Sequence, residues 1–187
     1  MREIGFIYPN HPSTDDIGGG VSYLQFIYLN REKYRDINFT FVASFEKANI
    51  CENVLPISRS KNPIIYALNF LKFVILNSQF KRLDILHFNH NYLLWIGLIF
   101  KKKNQKVVLT YHGLTGTYLK EKSGFLFPIF RLILVHVERR MLRRVDKVIF
   151  VSRATIEGSK HLLNLDIDYD VIPASFDSGI FQKILRP

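Results

Sequence analysis

The run from Val107 to Gly113 reads Val-Val-Leu-Thr-Tyr-His-Gly. Three apolar residues ahead of Thr110 and Tyr111 predict a buried strand, and His112 and Gly113 stand where it ends. Ligands of open α/β sheets bind beyond the carboxyl ends of strands. An imidazole placed there can donate or accept a hydrogen bond, or carry a proton, near neutral pH. Gly113 allows a sharp turn and leaves room for a ligand. A strand-capping histidine with a satisfied hydrogen bond is the structural alternative.

Two other groupings carry chemistry. Gly18-Gly19-Gly20 lies between the strand-like run ending at Tyr8 and the first helical stretch. Without side chains, such a turn lets a phosphate or sugar reach backbone N–H groups and a helix N-terminus. It is neither the dinucleotide fingerprint nor a P-loop, and a plain flexible loop is the alternative. His87 and His90 flank Phe88-Asn89 after Ile85-Leu86. Their spacing allows a metal pair, but no carboxylate or third ligand stands near in sequence, so the expectation is no metal. Acceptor contact or structural packing remains for both histidines. Ser152 follows an apolar strand without a Gly-x-Ser-x-Gly elbow, so it is read as a helix N-cap and not as a nucleophile.

The elements that must position these groups alternate along the chain. Strands are predicted at Glu3–Tyr8, Phe39–Ala43, Asp84–Phe88, Lys106–Tyr111, Lys147–Val151 and Tyr169–Ile172. Helices are predicted at Gly20–Arg31, Pro63–Phe80, Leu93–Lys102, Pro128–Arg144 and Arg153–Leu163, with Pro63 and Pro128 in first turns. Non-alternating, β-branched strands between helices imply an α/β fold, a parallel sheet sandwiched by helices in the Rossmann manner. The polar stretch Leu114 to Gly124 follows the His112 strand as a loop on the functional edge.

Composition limits the classes. With 187 residues and 48% hydrophobic side chains, the chain can bury one substantial core. A single cysteine, Cys51, excludes a disulfide framework and a thiolate zinc site. Met1 runs straight into Ile4–Tyr8, and no apolar stretch is long and uncharged enough to span a bilayer, so a cytoplasmic protein is expected. The net charge of +10 favours polyanions. Lys101 to Lys103 follow the run Tyr92 to Phe100, and Arg139, Arg140, Arg143 and Arg144 follow Phe125 to Val137. Cations beside aromatic and aliphatic runs suit an anionic membrane surface, with Phe125 and Phe127 as apolar contacts; solvated helix ends are the alternative. No aromatic-rich RNA-binding strand is present, which disfavours nucleic acid.

Five blocks in order resemble the N-terminal half of a family-4-type retaining glycosyltransferase of the GT-B fold. They are Gly18-Gly19-Gly20-Val21, Asp84-Ile85-Leu86-His87, Leu109 to Gly113, Glu138 with Asp146 to Ser152, and Val171-Ile172-Pro173 with Phe176-Asp177 and Phe181. Where the family carries Asn-Gly after the proline, Ala174-Ser175 stands here. The resemblance implies two Rossmann-like domains facing across a cleft. Residues 1–187 correspond to the N-terminal, acceptor-binding one, with the donor-binding C-terminal domain absent. It implies a nucleotide-sugar donor, a glycan or lipid-linked acceptor, no metal or other cofactor, and catalysis only with the second half supplied in cis or by a partner subunit. Gly18, Gly19 and Gly20 would lie near the donor diphosphate. His112 would hold the transferred sugar, and His87, His90 and Gly113 would contact the acceptor. Taken with the basic and aromatic runs above, the expected location is the cytoplasm, with peripheral attachment at the inner face of the membrane. Two further readings stay open: a non-catalytic basic module for anionic membrane or nucleic acid, and a GT-B-like epimerase.

Overall fold

The computed structural model describes residues 2–8, 26–45, 53–58, 60, 62–113, 127–163 and 167–172. Seven strands form one sheet: β1 (Arg2–Tyr8), β2 (Ile37–Phe45), β3 (Val54–Ser58), β4 (Ile85–Phe88), β5 (Lys106–Tyr111), β6 (Lys147–Phe150) and β7 (Tyr169–Val171). Their order is β3-β2-β1-β4-β5-β6-β7, and every pairing is parallel. The chain first builds outward from β1 to β3, then returns to add β4 on the other side of β1. The α/β, Rossmann-like expectation holds, and the strand order reverses between β1 and β4.

Strand β3 was not foreseen. Pro56 in its centre argues against a strand, but β3 is an edge strand paired only with β2, where a missing N–H is tolerated. Helix α1 (Pro63–Leu76) starts as its sequence predicts: Asn62 Oδ1 accepts from the N–H groups of Ile64 (2.9 Å) and Ile65 (3.4 Å), and Pro63 occupies the first turn. It stops four residues before the expected Phe80. Asn77 turns extended, and its Oδ1 accepts from Gln79 N (2.9 Å) and Phe80 N (3.1 Å), opening a separate 3-10 turn at Phe80–Arg82. Helix α2 (Leu94–Phe100) follows a 3-10 turn at Asn91–Leu93. Helix α3 spans Phe127–Leu142 and α4 Arg153–Leu163. Ser152 Oγ accepts from Thr155 N at 3.1 Å, the N-cap expected of it. Residues 26–30 are helical, the described end of the predicted first helix.

Successive strand residues face opposite sides of the sheet. Leu86 and Phe88 of β4, with Val107, Leu109 and Tyr111 of β5, meet α1, α2 and α3 in the larger core. Phe6, Phe39 and Phe41 form a smaller core on the other side, against Ile27 and Tyr28. Helix α2 lies tight on β4: a Cβ at Gly97 would stand 2.1 Å from Phe88 Cζ. Each fully buried Phe or Leu here contributes about 1.5–3 kcal/mol relative to exposure.

Candidate active site

The carboxyl ends of β4 and β5 stand beside the point where strand order reverses. In open α/β sheets that crevice is where ligands bind. The Asn89 N–H donates to Ile7 O at 3.0 Å, which carries the β1–β4 pairing one residue past β4. The Asn89 side chain is fully buried. Its Oδ1 lies 3.1 Å from His112 Nε2. A carboxamide oxygen only accepts, so Nε2 carries the proton and Nδ1 keeps the lone pair. His112 is half-buried just past β5. Burial, and then the neighbouring His90, hold its pKa below the usual histidine value. At neutral pH it is an uncharged imidazole.

His90 sits beside it at the end of β4. Its Nδ1 accepts from Tyr92 N at 3.0 Å, opening the Asn91–Leu93 turn and fixing the proton on Nε2. Burial lowers its pKa as well. Gly113 has φ +137°, a conformation that side chains rarely adopt, and a Cβ there would meet nothing within 4 Å among the described residues. The positive φ is the sharp backbone expected of this glycine.

His87 is not part of this group. It is 6% exposed and lies inside the sheet, against the Phe6 ring at 4.6 Å, with Nε2 2.7 Å from Thr110 Oγ1. Burial lowers its pKa to about 3. Among the described residues no group of three or more His, Cys, Asp or Glu is arranged to hold a metal. Gly18, Gly19 and Gly20 lie outside the described residues, as does Phe125. Phe127 begins α3, and its backbone alone is described. Arg140, Arg143 and Arg144 are exposed at and beyond the end of α3, while Arg139 is half-buried.

Four supporting residues were not singled out as site residues from the sequence. Asn89 holds the His112 imidazole, whereas Thr110 holds the His87 ring outside the site. Asn91 Nδ2 donates to Glu138 Oε1 at 2.6 Å and reaches Gly113 O at 3.5 Å. Glu138 is buried, so α3 is tied to the loop after β4 and to the glycine after His112. Tyr111 joins the same cluster. Burial first, and then the Glu138 carboxylate, push its phenol up, with the Ser159 side chain acting the other way. Periodicity carried a signal for Glu138: it shares a helical stripe with Val135 and Leu142, which pack into the core. Two clefts of the described surface lie elsewhere. One of about 330 Å³ is lined by Pro56, Ser58, Lys72 and Leu76 at the β3 edge, with β2, β1 and β4 between it and β5.

The model of Glycosyltransferase Family 4 matches residues 28–178. The chain belongs to glycosyltransferase family 4. This family-4 chain finds no match among curated proteins. Solved structures share its fold. Sucrose-phosphate synthase from Thermosynechococcus elongatus is 16% identical with a TM-score of 0.63, over 92% of this chain and 48% of its own. Anabaena HepE in complex with UDP and glucose is 14% identical with a TM-score of 0.57, over 97% of this chain and 46% of its own. A UDP-N-acetylglucosamine 2-epimerase-like protein from Listeria monocytogenes, 11% identical, has a TM-score of 0.50 over 87% of this chain and 41% of its own. The family-4 chain therefore spans about half the length of these structures. Glycosyltransferases of the GT-B type are among the neighbours, and the sheet topology agrees with them.

Proposed function

We propose that residues 1–187 form the acceptor-binding half of a retaining glycosyltransferase. It moves a sugar from a nucleotide-sugar to a glycan or lipid-linked saccharide, as in polysaccharide assembly, when a C-terminal donor-binding half is supplied. Family membership supports sugar transfer, and UDP in the Anabaena neighbour supports a nucleotide-linked donor. The observation that carries the site assignment is His112 itself. It is a neutral imidazole whose tautomer is set by Asn89, beside the crevice of the strand-order reversal.

In this reading Nδ1 of His112 accepts a hydrogen bond from a hydroxyl of the transferred sugar. A neutral ring makes that contact without competing for a proton. A fixed partner costs no reorganisation as charge develops on the sugar in the transition state. Gly113 lets substrate approach the backbone, and His90 offers Nε2–H to the acceptor. The backbone N–H groups of Gly18, Gly19 and Gly20 are assigned to the diphosphate. The leaving diphosphate is met by helix N-termini and by basic groups of the other half, and no metal takes part.

The test is His112→Ala in the protein carrying both halves. The expected result is a fall of about 100-fold in kcat, with the domain still folded. Unchanged kcat with a lowered melting temperature would make His112 a structural cap.

A further inference from the structure

Helices α1, α2 and α3 pack side by side over the larger core, and each leaves large apolar side chains on its outer surface. Helix α1 reads Pro-Ile-Ile-Tyr-Ala-Leu-Asn-Phe-Leu-Lys-Phe-Val-Ile-Leu. Asn69 and Lys72 are its only polar side chains besides the Tyr66 hydroxyl, and Asn69 Nδ2 is turned to β3, donating to Ser58 O at 3.0 Å. Tyr66, Phe70 and Val74 point into the core, whereas Ile64, Leu68 and Leu76 are 69%, 57% and 70% exposed. A helix apolar all round belongs with apolar surroundings on both sides. Helix α2 adds Trp95 and Ile99 to this surface, and α3 adds Leu132 and Ile133.

Among the described residues the charges around the face are mainly positive. Lys101 and Lys106 are held by Asp146 at 3.3 and 2.8 Å. Lys102 and Lys103, which follow the exposed Ile99 and Phe100, remain exposed, as do Arg140 and Arg143 just after Val137. Neither α1 nor α2 contains an acidic residue, and Glu138, the acidic residue of α3, is buried. Among the described residues, α1, α2 and α3 of a second copy would bring no exposed anion to these cations. A bilayer with anionic headgroups supplies both the apolar layer and the negative charge.

We propose that the outer face of α1, α2 and α3 docks on an anionic lipid bilayer. Apolar side chains enter the interfacial layer, and Lys102, Lys103, Arg140 and Arg143 meet lipid phosphates. The 14 residues of α1 extend about 21 Å, short of the roughly 30 Å hydrocarbon core, so α1 lies in the membrane plane. Among the described residues no helix is long and apolar enough to cross a membrane, so docking by this face is peripheral. The contact shares Arg140 and Arg143 with the one expected at Phe125, Phe127 and the arginines after them, and adds the outer faces of α1 and α2. It does not depend on the sugar-transfer reading. The candidate active site opens at the carboxyl ends of the strands and not on the helical face, so docking leaves it uncovered.

Trp95 is the only tryptophan of the chain and is 41% exposed on this face, which makes it a built-in probe. The protein is titrated with vesicles of phosphatidylcholine alone and of phosphatidylcholine with phosphatidylglycerol, at low and high salt. With anionic vesicles at low salt, Trp95 emission should shift to the blue and be quenched by brominated acyl chains. Added salt should reverse both effects. Lys102→Ala with Lys103→Ala should weaken partitioning about thirty-fold, roughly five-fold for each cation. Ile64→Asp with Leu68→Asp should abolish the quenching while leaving the circular dichroism and melting temperature unchanged. Lys33→Ala, beside the smaller core on the opposite layer, should bind as the parent does. The proposal is overturned by no emission change with anionic vesicles, or by equal binding to neutral ones. It is overturned equally by a lipid-free dimer whose formation buries Trp95.

Discussion

The His87 imidazole is buried against the Phe6 ring, and this sets a pH dependence of stability that can be worked out. Phe6 covers the ring, and Nε2 lies within hydrogen-bond distance of the Thr110 hydroxyl. Burial lowers the pKa to about 3 from 6.5. The folded state therefore binds fewer protons than the unfolded state in the interval between those values. The stabilisation is complete above the unfolded pKa and is lost as pH falls toward the folded one. At about pH 5 the unfolded chain has taken up its proton and the folded chain has not, which costs about 2 kcal/mol relative to about pH 7.5. Burial lowers the pKa of His90 and His112 too, so they act in the same sense, and the comparison must isolate His87. His87→Gln keeps a polar partner for Thr110 and removes the titration. Denaturant unfolding of parent and variant at the two pH values gives a double difference. The acid loss in the variant should be smaller by about 2 kcal/mol. An equal loss in both proteins would refute the reasoning and show that His87 takes up its proton within the fold.

Three other outcomes are expected. Asn91→Ala should cost about 1.5–3 kcal/mol, because it takes a hydrogen bond from the buried Glu138 carboxylate; with Glu138→Gln it should show a coupling of about 1–2 kcal/mol in a double-mutant cycle by denaturant unfolding, and additivity would disprove the tie. Gly97→Ala should destabilise by about 1–3 kcal/mol, since its Cβ would stand 2.1 Å from the buried Phe88 ring and neither can yield cheaply; a melting temperature equal to the parent's would contradict the close approach. The 187-residue chain alone should show no appreciable transfer from any nucleotide-sugar, and measured turnover would end the half-enzyme reading.

Much of the candidate site was legible because strand ends are written locally. The apolar run Val107 to Leu109 placed β5, and the residues after it, His112 and Gly113, had to emerge at its carboxyl end. Ser152 was legible for the same reason, since an N-cap acts on the next few residues. The ends of α1 and the existence of β3 were less so. Asn77 competes for backbone hydrogen bonds within an otherwise apolar helix, and Pro56 is acceptable only because β3 lies at an edge.

The sequence by itself determined the parallel α/β architecture, through buried strands alternating with helices, and the glycosyltransferase family, through blocks spread over the chain. Tertiary structure decided which histidine serves which surface. His87 and His90 are three residues apart, yet the pleat turns His87 toward Phe6 and Thr110 inside the sheet, while His90 leaves β4 to stand beside His112. Asn89 became the partner of His112, and Glu138 the anchor of Asn91, across 23 and 47 positions of sequence. Such pairs depend on strand register and helix docking, which are fixed by long-range packing and carry no mark in a local run of residues.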